Sequence, residues 1–98
     1  MARKIIWTQT AQTERREILV YWVKRNKSKT FSKKLNKLFV AALKDISKNP
    51  MIGRKTDMEN VRAKIVREYL LFYEISDEYV YVLSVWDNRR DNTSRSYK

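Results

Sequence analysis

Apolar positions change period along the chain: before residue 50 they recur every three to four residues, and after residue 60 they mostly alternate. Lys4-Ile5-Ile6-Trp7 reads as a short first strand. Thr8 or Thr10 can cap the helix that follows, because a hydroxyl accepts from an otherwise unpaired amide of the first turn. Ala11, Ile18, Leu19 and Trp22 then fall at helical spacing. Arg25-Asn26-Lys27-Ser28 breaks this helix, and Ser28 or Thr30 can cap the next. Phe31, Leu35, Leu38, Ala42 and Ile46 form a clear stripe on the second helix, with Lys33, Lys34, Lys37 and Lys44 elsewhere on it. Those lysines read first as a solvated face and second as a binding surface. Two helices joined by a tight loop form an αα-hairpin. With one apolar stripe each, both need a sheet to cover.

Asn49-Pro50-Met51-Ile52-Gly53 holds the one proline and the one glycine of the chain, the strongest punctuation in it. Beyond it, Val61, Ala63 and Ile65 alternate with Arg62, Lys64 and Val66, so one strand face is apolar and the other carries cations. Tyr69 to Ile75 reads as the next strand, Ser76-Asp77-Glu78 as a turn, and Tyr79 to Trp86 as the last strand. The expected fold is therefore α+β. An N-terminal strand and a two-helix antiparallel hairpin pack on a small, mainly antiparallel sheet, completed by a C-terminal three-strand meander. The last two strands are apolar on both faces. Either they are central and covered twice, or the second face is a groove for a partner. A two-helix layer covers one face only, which favours the groove.

Length and charge narrow the choices. At 98 residues the chain is expected to form one domain, 1–98. Lys and Arg number 22 against 11 Asp and Glu, a net charge of +11, which points to a polyanion or an acidic protein as partner. Cysteine and histidine are absent, so there is no disulfide framework and no thiolate, and the commonest metal ligand and general base are missing. No cofactor or metal is expected. The apolar runs fall far short of the roughly 20 residues needed to span a bilayer, and the first residues lack the apolar core of a signal peptide. A cytoplasmic protein is the expectation.

No Ser-His-Asp set, metal-ligand spacing or glycine-rich phosphate loop is present. Glu14, Glu17 and Asp45 read as solvated helix residues beside nearby cations. Lysine, arginine and tyrosine remain. They suffice for phosphoryl transfer on RNA, whose 2′-hydroxyl is itself a nucleophile. Cations then stabilise charge on the phosphate oxygens. A lysine or tyrosine can move protons if neighbouring cations lower its pKa from about 10. Arg89 and Arg90, in Asn88-Arg89-Arg90-Asp91, are the best phosphate candidates, because a guanidinium pairs with phosphate in bidentate fashion. The same pair would equally hold an acidic protein segment. Arg62 and Lys64 divide evenly between solubility and polyanion contact. Trp7, Trp22 and Trp86 read as core or groove lining, and Tyr69 and Tyr73 as packed on one strand face.

Taken in order, Ile6-Trp7-Thr8 with Ala11, Ile18 with Tyr21, Pro50 with Gly53, Val61-Arg62, Tyr69 to Ile75 and Val85 to Asp91 resemble the RelE/ParE superfamily of bacterial toxins from type II toxin–antitoxin modules. The resemblance spans nearly the whole chain and rests on order and spacing, since no single motif is specific. It implies a toxin held inactive by a cognate acidic antitoxin encoded beside it, in a toxin–antitoxin hetero-oligomer. RelE-like members cut messenger RNA in the ribosomal A site, and ParE-like members poison DNA gyrase. The RelE pattern sets an arginine directly after the tyrosine of its middle strand, where this chain has Leu70. Lys64 and Arg67 lie nearby and could substitute. Arg89 matches the basic residue that ends the RelE sheet, and Tyr97 its C-terminal tyrosine. Arg89-Arg90-Asp91 also resembles a ParE-like ending, with Asp87 in the histidine position. The resemblance thus implies ribosome-dependent messenger RNA cleavage, with Arg89, Arg67, Lys64 and Tyr97 catalytic and Arg62, Lys64, Arg89 and Arg90 on the nucleic acid. The alternatives are a gyrase inhibitor and a non-catalytic RNA-binding module.

Overall fold

The computed structural model describes residues 2–88. Its elements run β1 (Lys4–Trp7), α1 (Gln9–Asn26), α2 (Thr30–Lys48), a 3₁₀ turn (Pro50–Ile52), β2 (Arg54–Lys55), β3 (Val61–Val66), β4 (Tyr69–Ile75) and β5 (Tyr79–Asp87). Thr8, not Thr10, caps α1: its hydroxyl accepts from the Ala11 amide at 3.2 Å and donates to the Val82 carbonyl at 2.7 Å. One side chain therefore both starts the helix and pins its start to β5. Lys27 ends α1 in the left-handed region, φ 51°, with its amide bonded to the Val23 carbonyl. Lys24 and Arg25 sit in the last turn, where cations suit the negative end of the helix dipole. Ser28 accepts from the Thr30 amide at 3.2 Å as α2 begins.

The five strands form one sheet in the order β1-β5-β4-β3-β2. The meander β3-β4-β5 is antiparallel, as the alternation predicts, while β1 runs parallel to β5. The helical hairpin between β1 and the meander makes that parallel pairing possible, because parallel neighbours need a long crossover. The edge strand β2, paired with Arg62 and Ala63, is an addition to the expected four strands.

Both helices pack on one face of the sheet. Leu35, Phe39, Leu43 and Ile46 of α2 meet Val66, Tyr69, Leu71 and Tyr73 of the first two meander strands and Val80, Val82 and Val85 of β5, with the Phe39 and Tyr69 rings edge-on at 5.8 Å. Cross-strand register places Val61, Ala63 and Ile65 with Phe72, Leu70 and Trp86 on the opposite face, outside that core. The register also decides which side of β3 the helices take. Its apolar side turns away from the helices, and Arg62, Lys64 and Val66 lie in register with Tyr73, Leu71 and Tyr69 on the helix side. The β4 tyrosines decide the orientation, since they fill the space beneath α2 and β3 follows their register. Phe72 and Trp86 meet edge-on at 4.8 Å on the second face. Among the described residues no helix is long and apolar enough to cross a membrane.

Candidate functional site

Of the five cations singled out for nucleic acid or catalysis, Arg62, Lys64 and Arg67 fall among the described residues. Arg62 donates to the Gly53 carbonyl at 2.7 Å and the Met51 carbonyl at 3.3 Å. Its guanidinium clasps the turn that ends the helical half. Tyr73 completes the clasp. Its hydroxyl donates to the Pro50 carbonyl at 2.6 Å and accepts from the Gly53 amide at 3.0 Å. Gly53 is required there: an added Cβ would collide with the Tyr73 hydroxyl and meet Tyr73 Cε1 at 2.9 Å and the Ala63 carbonyl at 3.0 Å. Burial raises the Tyr73 pKa above 10.0, against the smaller opposing pull of the Gly53 amide and the Arg62 charge. A raised phenol pKa means that the folded state keeps its proton longer than the unfolded chain. Stability from this group is intact below pH 10 and declines as pH rises from there through the raised value. Replacing Tyr73 by Phe should remove that alkaline component of unfolding.

Lys64 is half-buried on β3 opposite Leu71. Arg67 lies in the two-residue turn between β3 and β4, at φ 55°, with its guanidinium 5.6 Å from the Phe31 ring centroid. That corner gathers several element ends. The Trp22 indole donates to the Tyr69 hydroxyl at 2.7 Å, and the Asn88 amide donates to the Glu68 carbonyl at 2.6 Å. Arg89 follows Asn88 in the chain, but Arg89, Arg90 and Tyr97 lie outside the described residues. Leu70, in the position of the RelE arginine, is in register with Ile65 and Trp86 on the second sheet face. That face is apolar around it: Ile65 is 49% exposed and Phe72 is buried.

Glu14 departs from its expected role. Its Oε1 accepts from the Ser84 hydroxyl at 2.7 Å and the Val85 amide at 3.0 Å. The pairing of β4 and β5 slips at Phe72/Tyr73, so Leu83 has no direct partner. The carboxylate supplies an acceptor beside that irregularity.

The feature that pattern reading missed is a groove of about 680 Å³ between the helices. Leu19, Val20 and Val23 line it together with Arg15, Arg16 and Lys24 of α1 and Lys29 at the start of α2. Arg15 is held at its base, 4.2 Å above the Trp7 ring and bonded to Gln12 and Asn36, and burial lowers its pKa from the ordinary value. The signal was present. Ile18 to Val23 is a run of six apolar residues, more than one helix stripe accommodates, and only Ile18, Leu19 and Trp22 pack on the core. Among the described residues the lining joins an apolar floor to a basic rim and includes no carboxylate. Such a surface suits an amphipathic segment bearing acids.

The model of the family described as the ParE toxin of the type II toxin–antitoxin system parDE matches residues 5–92. No curated protein matches. A structure of the chromosomal ParDE toxin–antitoxin system from P. aeruginosa superimposes with a TM-score of 0.72 at 16% identity, covering 86% of this chain and 94% of that one. The toxin–antitoxin complex RelBE2 from Mycobacterium tuberculosis superimposes with a TM-score of 0.61 at 19% identity, covering 87% of this chain and 96% of that one. At these identities the two structures speak for the fold.

Proposed function

The chain belongs to the family of ParE toxins of type II toxin–antitoxin systems, and from that premise we propose that it arrests growth by binding DNA gyrase in the cytoplasm rather than by cutting RNA. The observation that carries this reading is the second sheet face. Where a RelE-like nuclease sets an arginine, Leu70 sits among Ile65, Phe72 and Trp86. An apolar and aromatic floor suits a protein surface, and among the described residues Ile65, Leu70, Phe72 and Trp86 themselves bring no charge to a scissile phosphate. Two further cations of the nuclease reading already have work: Arg62 holds the Pro50–Gly53 turn and Arg67 lies over Phe31. An acidic antitoxin holds the toxin inactive by laying an amphipathic helix in the α1–α2 groove. The charge of +11 and the basic rim of that groove support this partner, as do the structural neighbours, which are themselves toxin–antitoxin systems.

The test is controlled expression in bacteria, read two ways. Gyrase-dependent DNA breaks and a DNA-damage response, with intact messenger RNA, are expected. New 5′ ends inside coding regions without DNA damage would overturn the reading in favour of ribosome-dependent cleavage. Arg89 and Tyr97 would then be the first residues to replace.

A further inference from the structure

Charge is unevenly distributed over this fold. Residues 9–48, the helical hairpin and its loop, hold 11 of the 22 basic and 3 of the 11 acidic residues, and so account for +8 of the net +11. One of those three acids, Glu14, is turned inward onto Ser84 and Val85. On α2 Asp45 is the sole carboxylate. Lys33, Lys37, Lys44 and Lys48 are all exposed, and at spacings of four, seven and four residues they share one side of a helix with 3.6 residues per turn. Leu35, Phe39, Ala42 and Ile46 occupy the opposite, buried side. The lysines therefore form a straight row about 22 Å long at 1.5 Å per residue, and Lys29, exposed at the N-terminal end, extends it.

We propose that the outer face of α2 is a docking surface for the phosphate backbone of duplex DNA. A row of point charges on a rigid helix matches a rigid, regularly charged strand, which carries one phosphate per about 3.4 Å of axis. The row lacks an aromatic anchor of the kind that protein partners use; the exposed Val40 and Ala41, between Lys37 and Lys44, are small beside the four cations. Lysine is also a compact, hydrated charge suited to non-specific backbone contact. Lys29 also lines the α1–α2 groove, whereas Lys33, Lys37, Lys44 and Lys48 line neither that groove nor the apolar sheet face, so the four-lysine row can be occupied together with both. The choice of DNA rests on the gyrase reading, since that target itself holds duplex DNA; the row would add a contact to the DNA segment beside the toxin. The contact carries no sequence information, because base edges are not reached.

The experiment measures binding of the full chain to a 20-base-pair duplex across a salt series, by fluorescence anisotropy. The wild type is compared with a variant carrying Lys33→Gln, Lys37→Gln, Lys44→Gln and Lys48→Gln, and with a second variant carrying Lys→Arg at the same positions. Glutamine and arginine are both good helix formers, so each variant should melt like the wild type. Losing four phosphate contacts should flatten the slope of log Kd against log salt by about 3 to 4, so that between 50 and 200 mM salt the wild type weakens on the order of 10²-fold more than the Gln variant. The Arg variant should keep the wild-type slope. An unchanged slope in the Gln variant, or loss of binding in the Arg variant, would overturn the proposal. So would absence of wild-type binding at 50 mM salt, or equal competition by polyglutamate at matched charge, which would mark the row as a site for acidic protein. None of these outcomes depends on whether gyrase is the target, which the messenger RNA and DNA-damage readouts decide separately.

Discussion

The two helices of the hairpin are held to the same sheet by different means. α2 is anchored by apolar burial: Leu35, Phe39 and Ile46 are fully inaccessible, and its remaining surface is mostly polar and basic, with Val40 its one large exposed apolar side chain. α1 has one fully buried residue, Ala11. It is held instead by polar ties at its start, its middle and its far end, from Thr8 to Val82, from Glu14 to Ser84 and Val85, and from Trp22 to Tyr69. Its surplus apolar residues, Val20 and Tyr21, point outward and are 43% and 48% exposed. The contrast separates two tasks. A helix that spends its whole apolar stripe on the core serves as foundation. A helix that spends hydrogen bonds on attachment keeps apolar surface for a partner.

The largest effect should come from removing the foundation. Phe39→Ala deletes a fully buried ring that packs on Tyr69. It should cost about 4 kcal/mol, the range for a buried Phe truncated to Ala. Urea or thermal unfolding of the purified chain measures it. A loss below about 1 kcal/mol, as for a surface substitution, would mean that α2 is not the principal anchor.

Next is the exit from α2. Gly53→Ala places a Cβ against the fully buried Tyr73 ring, and Ala63 blocks the other side. Neither the packed ring nor the strand backbone can move aside cheaply, so overpacking should cost about 3 kcal/mol. A double variant with Tyr73→Ala should relieve the clash. If Gly53→Ala is as damaging in that background as alone, the collision is not the cause.

The attachment of α1 should be weaker and should depend on polar groups. Glu14→Ala leaves the Ser84 hydroxyl and the Val85 amide without their acceptor. An orphaned buried donor costs about 1–3 kcal/mol, so a loss of about 2 kcal/mol is expected. Hydrogen exchange at the Val85 amide should speed up relative to that of Phe39. A stability change within about 0.5 kcal/mol, the range of ordinary surface sites, would return Glu14 to the role of a solvated charge and leave the contrast between the helices without support.

The same contrast marks what could be read in the sequence. The α2 stripe and the alternation of β3 to β5 were legible because each element has a single burial direction per residue, so period reports burial. The alternation of Val61, Ala63 and Ile65 marks one strand face, but which face the helices take depends on Tyr69, Leu71 and Tyr73 across the ladder, a choice that no local pattern holds. β2 is two exposed basic residues and has no periodic signal at all. Thr8 and Thr10 were equal as caps until β5 supplied the Val82 carbonyl. Among site residues, Arg62 was noted for its charge, yet its partners are backbone carbonyls of a turn some ten positions earlier. Glu14 looked solvated for the same reason: its partners lie about seventy residues away. Arg67 was legible as a cation near Leu70, while its place beside the Phe31 ring was not, and Arg89, Arg90 and Tyr97 fall outside the described residues.

The smallest change in stability should accompany a large change in binding. Val20 lines the α1–α2 groove between Leu19 and Val23 and is 43% exposed in the free chain. Val20→Ser removes apolar surface without altering charge, and serine and valine have similar helix propensities. Folding stability should therefore change by no more than about 0.5 kcal/mol, as at other surface positions. Burial of a Val side chain in a complex is worth about 1.5 kcal/mol or more, so affinity for the antitoxin should fall by about tenfold or more. The measurements are the melting temperature of the free toxin and the dissociation constant of the complex with the protein encoded by the adjacent reading frame. A lower melting temperature with unchanged affinity would make Val20 a core residue and α1 a second foundation. Loss of affinity in a protein that melts normally would establish that the apolar excess of α1 is there for its partner.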